Sequence, residues 1–327
     1  MTFFSAELLS SLNVLDWGYT EEALPPSFKH FESWIEKDHQ GPLNYLSDHR
    51  KDLRRDLRQV FPEFQSAAVF LFSYQPTKKW MLENNQHSVA SYALGFEGED
   101  YHFALKRKLQ TLGEEIQKTH PDMKFTFSLD IQPVLERDLA YRAGLGWFGK
   151  NSMLISRKEG SYFIIGSLLL SEKLELGVKP LDVDHCGTCI ACAEACPTDA
   201  INIETRTLIA AKCISTYTIE IFKDAAAPAG FEKSRGEVFG CDICQDVCPW
   251  NKKSLLSVVA QLNLKNGFTY LKDLLLLQSK TQLKIFINGS TNRGLKKHFH
   301  GTVFDRPGKE GWLKNLKALF TSSRSGS

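Results

Sequence analysis

All eight cysteines of this 327-residue chain fall between positions 186 and 248. Nothing else in the sequence restricts the fold so tightly. One run reads Cys186-x-x-Cys189-x-x-Cys192-x-x-x-Cys196-Pro197. The other reads Cys241-x-x-Cys244-x-x-x-Cys248-Pro249, one ligand short, with Cys213 upstream to complete it. Two sets of four thiolates predict two 4Fe–4S clusters and therefore redox chemistry. Three cysteines at two-residue intervals in a tight loop can set their sulfurs on one face of a cubane. The fourth, just before a proline, opens a helix and points to the other cluster. Cluster one then takes Cys186, Cys189, Cys192 and Cys248, and cluster two takes Cys196, Cys213, Cys241 and Cys244. Small residues between the ligands (Gly187, Thr188, Ala191, Ala193, Ala195) let backbone N–H groups approach the cluster sulfides.

Two other uses of eight cysteines fit less well. A disulfide framework belongs to short secreted chains in oxidising compartments. Here the first residues lack the basic start and cleavage site of an export signal, and no cysteine lies outside the block. Two zinc sites would also use eight thiolates, but zinc modules rarely end in C-x-x-x-C-P. The longest apolar stretches, Ala67–Phe72 and Phe163–Leu170, are too short to span a bilayer. A cytoplasmic protein is expected, without an obligate partner chain. With 43% hydrophobic and 24% charged residues, the composition is that of an ordinary globular protein.

The net charge of +2 argues against a nucleic-acid-binding surface over the whole molecule, but the distribution is uneven. From Lys280 to Ser327 ten Lys or Arg face two acids, Asp305 and Glu310. A second basic run spans His49 to Arg58. Stripes of this kind can neutralise phosphates, or can simply be solvated faces.

Periodicity gives a coarse map. Residues 5–15 read as an amphipathic helix, with Leu8, Leu9, Leu12 and Leu15 on one face. Ala67–Phe72 reads as a buried strand, Phe125–Leu129 as an alternating strand and Ser161–Leu170 as another apolar strand. Residues 101–118 predict a helix with Leu105, Leu109, Leu112 and Ile116 inward, and Val134–Ala143 a second one. Leu255–Leu277 and Gly311–Phe320 look helical, and Thr321–Ser327 reads as a frayed tail. The fold class expected is α+β: an α/β-layer domain over residues 1–175, a double-cluster domain over 176–252 and a short helical region over 253–327.

About 175 residues precede the cluster block, so the clusters are expected to feed another centre. No Gly-x-Gly-x-x-Gly follows a strand, so a dinucleotide fold is unsupported. The glycines at 144, 146 and 149 either approach a planar ligand or permit positive φ. Five ordered segments then resemble epoxyqueuosine reductase, the cobalamin- and iron–sulfur-dependent enzyme family of tRNA queuosine synthesis. Gly98-Glu99-Asp100-Tyr101-His102 resembles the family's G-x-D-Y-H. Asp130-Ile131-Gln132-Pro133-Val134-Leu135-Glu136-Arg137 resembles D-T-G-P-x-x-E-R, with Ile-Gln in place of Thr-Gly. Ala143-Gly144-Leu145-Gly146-Trp147-Phe148-Gly149-Lys150-Asn151 matches A-G-L-G-W-x-G-K-N. The segment from Cys213 to Glu220 resembles C-I-S-x-x-T-I-E, and Gly240 to Asn251 matches the second cluster run. Phe96-Glu97 looks like an insertion before the D-Y-H segment. Longer members continue beyond the segment that Arg306–Leu319 resembles, so tRNA contacts made by those repeats are expected to be missing.

The resemblance implies a cobalamin in the N-terminal domain, with cob(II)alamin as its resting state and no axial side chain from the protein, reduced by the adjacent clusters. It implies tRNA bearing epoxyqueuosine as substrate and an unidentified electron donor. Asp130 matches the family's acid position, where a proton donor to the opening epoxide contributes about 10²–10⁴-fold. Such an acid needs a raised pKa, most simply from burial. Read without the family, Asp130 is a helix cap near Pro133. The resemblance also places Arg54, Ser91, Asp100, Arg137, Lys150, Asn151, Leu154, Ile165 and Ser215 at the cofactor. Arg137 could instead pair with Glu136 or Asp138, and Lys150 and Asn151 could be turn residues. Asp100 reads as the cap of the following helix, and His102 either as structural or as lining the nucleoside pocket with Tyr101. Lys223, Arg235 and the C-terminal basic stripe are candidate phosphate contacts. Rival functions are a corrinoid reductive dehalogenase and a plain electron carrier.

Overall fold

The computed structural model describes residues 3–223 and 225–322. Among the described residues eight strands are present: β1 (Val14–Thr20), β2 (Ser66–Ser73), β3 (Phe125–Ser128), β4 (Trp147–Phe148), β5 (Leu154–Ile155), β6 (Phe163–Leu170), β7 (Ile201–Asn202) and β8 (Thr207–Leu208). Four of them form the main sheet in the order β1-β2-β6-β3, with every neighbouring pair antiparallel. An antiparallel sheet covered by helices is an α+β arrangement. The sheet is buried on both faces, which is why β2 reads as one continuous apolar run. Ala68, Phe70 and Phe72 point to one face with Leu168 and Leu170, against Leu105, Leu109 and Leu112 of the Tyr101–Gln117 helix. Ala67, Val69 and Leu71 point to the other with Leu169, against Leu139, Ala140 and Ala143. The period of two in the strands sorts the side chains between the two layers.

The first face does not end at residue 175. Leu274, Leu283, Trp312 and Leu316 belong to the same apolar core as Phe70 and Leu109. The C-terminal helices Lys280–Gly289, Asn292–His298 and Gly308–Ser322 are therefore packed into the N-terminal layer. Gly98, at φ +81°, permits this contact: a Cβ there would meet Phe268 at 2.9 Å and Leu264 at 3.1 Å.

Several boundaries differ from the periodicity reading. Residues 5–15 form a helix only over Ala6–Ser11, capped by Ser5. Asn13 then turns at φ +55° into β1, whose pairing with β2 outweighs the helical leucine spacing. Leu255–Leu277 is not one helix. Short turns at Leu255–Ser257 and Asn266–Phe268 and a π-turn at Lys272–Leu277 interrupt extended chain. Gln261 N–H bonds Pro76 O and Lys265 N–H bonds Glu97 O, so contacts to the N-terminal layer replace intrahelical bonds. The final helix carries Thr321 and Ser322, and the rest of the expected tail lies outside the described residues. Among the described residues no helix is long and apolar enough to cross a membrane.

Candidate redox site

None of the eight cysteines is in a disulfide. The structure brings them into two groups. Cys192 faces Cys186 and Cys248, and Cys248 faces Cys186 and Cys189. Cys213 faces Cys196, Cys241 faces Cys244 and Cys213, and Cys244 faces Cys213 and Cys196. Each Cys-Pro cysteine thus sits beside the other run's thiols. Cys248 starts the helix Pro249–Ser254, as the proline at its first position dictates. No three described His, Cys, Asp or Glu side chains converge tightly enough for one metal ion. Burial pushes the Cys213, Cys241 and Cys244 thiols up. Ionised together in that wall, they require a cationic partner to share their charge.

A cavity of about 380 Å³ adjoins the second group. Cys196, Cys213, Cys241 and Cys244 form one wall, with Ser215 and Glu220 from the helix Ile214–Ile219 and its end. Tyr45, Tyr92, Met153, Phe163 and Ile164 face them from the N-terminal layer. Burial pushes Tyr45 up to about 12 and raises Glu220.

Asp130 stands at the end of β3 with φ +57°. Its charge acts on Tyr45, Tyr92 and Glu220, which places it beside the cavity. Tyr101 Oη donates to Asp130 Oδ2 at 2.6 Å. Asp130 is not a cap: the next helix, Glu136–Arg142, starts after Leu135 and has no side-chain cap. Nor is Asp130 buried, contrary to the expectation for a raised acid. The buried-type acid is its neighbour Glu136. Glu136 Oε1 accepts from Asp130 N–H at 2.6 Å and from Ser128 Oγ at 2.9 Å. Burial, and then the Asp130 charge, push Glu136 up to about 8. Gln132 Oε1 accepts from Leu129 N–H, so this side chain closes the turn where the family pattern has glycine. Ile131 is 70% exposed at its tip.

Arg137 donates through Nη1 to Ser152 Oγ at 2.6 Å and to Ser152 O, rather than pairing with Glu136 or Asp138. Asp138 holds Arg142 at 2.5 Å. Arg137 opens to solvent, yet the surrounding protein desolvates it enough to lower its pKa.

The other expected residues divide by role. Lys150 Nζ donates to Gly187 O and Cys189 O at 2.6 and 3.0 Å, and Asn151 Nδ2 donates to Cys244 O at 3.4 Å. Both tie the β4–β5 hairpin to the cysteine loops. The glycine at 146 (φ +156°) lies against Ile155 O and that at 144 against Lys179, so they serve turn geometry and packing within the protein. Ser91 gives both its N–H and its hydroxyl to Asp242. Asp100 caps its helix, accepting from His102 N–H at 3.0 Å. Arg54 is buried against Phe31 and donates to Arg50 O. Leu154 and Ile165 pack into the core beneath the helix Glu136–Arg142, while Ser215 lines the cavity.

The basic stripes are less uniform than their sequences. Arg235 pairs with Glu237 and Asp246 at 2.9 and 2.8 Å. Lys223 is exposed. In the C-terminal stripe, Lys280 bonds Ser88 and Lys314 bonds Tyr217 O. Arg306 reaches His102 at 2.8 Å and lies over the Tyr101 ring. Lys284, Arg293, Lys296 and Lys297 remain exposed. In the run 48–58, Asp48, Asp56 and Glu32 engage Arg50, Arg58 and Arg55. Glu136, Tyr45, Glu220, Arg306 and Lys78 were not singled out from sequence. Glu136 and Glu220 lay in quoted motifs and Arg306 opened the C-terminal segment, whereas Tyr45 and Lys78 carry no local signal.

Comparison with known proteins gives a consistent result. A family described as "4Fe-4S double cluster binding domain" matches residues 185–251. One described as "Epoxyqueuosine reductase QueG, DUF1730" matches residues 54–130. The epoxyqueuosine reductase of Cyclobacterium marinum is 40% identical over 241 residues, covering 72% of this chain and 73% of the relative. That of Escherichia coli K12 is 32% identical over 304 residues, covering 91% and 75%. The solved epoxyqueuosine reductase of Streptococcus thermophilus has the same fold, with a TM-score of 0.77 at 22% identity over 97% of this chain and 80% of that one. A structure with an epoxyqueuosine-modified tRNA-Tyr stem loop gives 0.75 at 22% identity, covering 97% and 80%. The chain belongs to the epoxyqueuosine reductase family.

Proposed function

We propose that this chain is an oxidoreductase that reduces epoxyqueuosine in tRNA to queuosine. The epoxide oxygen leaves as water, and the reaction consumes two electrons and two protons. One observation carries the reading: four thiols form a wall of the cavity beside which Asp130 stands. The two thiol groups fit two 4Fe–4S clusters by donor type and number. The aromatic and aliphatic wall opposite them fits a flat macrocycle such as cobalamin, which would be held among Tyr45, Tyr92, Phe163 and Ile164. When bound, cobalamin supplies a strongly nucleophilic low-valent metal centre, and the clusters supply electrons one at a time.

The protein's own groups handle position and protons. Tyr101 donates to Asp130 Oδ2 and so fixes the carboxyl group through which a proton passes to the leaving oxygen. Glu136 and Ser128 hold the Asp130 backbone in its left-handed turn. Lys150 and Asn151 keep the cysteine loops against the catalytic layer. In this reading residues 1–175 are the cobalamin-binding catalytic layer, 176–252 deliver electrons and 253–327 cover the catalytic layer. One chain holds every group named, so a monomer suffices, and the exposed Cys189 suits a reducing cytoplasm.

The test is anaerobic incubation with reductant, cobalamin and epoxyqueuosine-containing tRNA, followed by nucleoside mass spectrometry. Queuosine is expected. Unchanged epoxyqueuosine, from protein carrying its clusters and cobalamin, overturns the reading.

A further inference from the structure

A buried ion network grips the second thiol group's loop, and no proton or substrate role above uses it. Lys78, on the helix Gln75–Glu83, is 1% exposed. Its Nζ lies 2.9 Å from Asp242 Oδ2 and 2.5 Å from Asp246 Oδ1. Asp242 stands between Cys241 and Cys244, and Asp246 between Cys244 and Cys248. Asp242 Oδ2 also accepts from Ser91 N–H at 2.9 Å and Ser91 Oγ at 2.7 Å. Asp246 Oδ1 accepts from Tyr162 Oη at 2.6 Å, and Oδ2 from Arg235 at 2.8 Å. Arg235 is shared with Glu237, itself 1% exposed. Two cations therefore face three buried carboxylates, two of them within the ligand loop.

Such a network is a poor device for stability alone. Desolvating the ions costs about as much as their attraction returns, and well-packed apolar side chains do as well. Apolar packing could not supply a field. In a medium of low dielectric a buried charge acts over long distances. Reduction of a cluster adds one electron and breaks no bond, so it adds one negative charge to the site. Carboxylates in the loop oppose that charge and an ammonium favours it.

We infer that Lys78 is a positioning residue that acts through Asp242 and Asp246 to raise the reduction potential of the cluster held by Cys196, Cys213, Cys241 and Cys244. The cluster beside the cavity thereby becomes the preferred acceptor of the pair. The inference rests on the two-cluster reading and is independent of the substrate.

The full chain is reconstituted anaerobically with both clusters, without cobalamin or tRNA, and titrated with dithionite under EPR detection. In Lys78→Gln one of the two midpoint potentials is expected to fall, reducing that cluster's reduction equilibrium tenfold or more, about 59 mV for a one-electron couple. The second midpoint stays in place, and Lys78→Arg restores the first. Asp246→Asn is expected to move the same midpoint upward. That opposite sign decides the matter even if Lys78→Gln does not take up iron. An unmoved midpoint in Asp246→Asn, or equal shifts of both midpoints, overturns the inference. Iron and sulfide analysis of the unsubstituted chain tests the two-cluster reading separately: eight irons support it, and a zinc-loaded protein removes it.

Discussion

Asp130 and Glu136 divide between them two properties that a single buried acid was expected to combine. Asp130 is exposed beyond the end of β3, with one oxygen held by Tyr101. Glu136 lies behind it, pushed up to about 8 by burial and by the Asp130 charge. Asp130→Asn keeps the shape and removes the proton, so turnover of modified tRNA should fall by about 10²–10⁴-fold while the cluster absorbance is unchanged. Full turnover in that variant would remove Asp130 from the chemistry. Glu136 makes a second, pH-linked prediction. Its pKa is higher folded than in the unfolded chain, whose value is near 4.5. The folded protein therefore holds an extra proton between those limits, and this contribution to stability is lost as pH rises through about 8. Melting temperatures recorded against pH should decline more steeply across that range in the unsubstituted protein than in Glu136→Gln. Parallel curves would show that Glu136 does not titrate there.

At the scale of elements, the sheet sorts its two faces by alternation, whereas the loops are set by single contacts. The chain from 258 to 271 lies across the N-terminal layer because backbone groups of Pro76 and Glu97 accept its hydrogen bonds. Gly98 makes room for it. Gly98→Ala combines a left-handed backbone with a Cβ 2.9 Å from Phe268, and should destabilise the protein by about 1–3 kcal/mol. Thermal melting of the cluster-loaded protein would register this as a lower midpoint. An unchanged midpoint would mean that the C-terminal segment is not anchored there. The β4–β5 hairpin works in the same way. Its glycines shape the turn, and Lys150 at its tip holds the carbonyls of Gly187 and Cys189.

Across the whole molecule, the core shared by residues 70, 109, 283 and 312 joins the C-terminal helices to the N-terminal layer. Arg306 extends that junction to His102 and the Tyr101 ring, and so to the tyrosine that holds Asp130. Among the described residues of the basic stripe, the outward cations Lys284, Arg293, Lys296 and Lys297 are placed to meet phosphates. Each phosphate contact contributes to the steepness with which affinity falls with salt. Replacing Lys296 and Lys297 by alanine should weaken tRNA binding and lower the slope of log affinity against log salt by about 1–2. Filter binding at several salt concentrations reads both, and an unaltered slope would place the tRNA elsewhere.

Much of this was legible in the chain itself. The count and spacing of the cysteines specified two sets of four thiolates, because ligand number and loop reach are local properties. The strands Ser66–Ser73 and Phe163–Leu170 and the helix Tyr101–Gln117 were visible through periodicity, since hydrophobic burial imposes their repeat. The charged residues were not. Lys280 reads as a free cation in a basic stretch, but the fold gives it Ser88, 192 residues away, as a partner. Lys78 carries no local sign of its role, because Asp242 lies 164 residues away. β1 was hidden by leucines at helical spacing until its pairing with β2 decided the matter. Spacing along the backbone determines ligand sets and repeats; which charges are buried together depends on a long-range packing that no local pattern records.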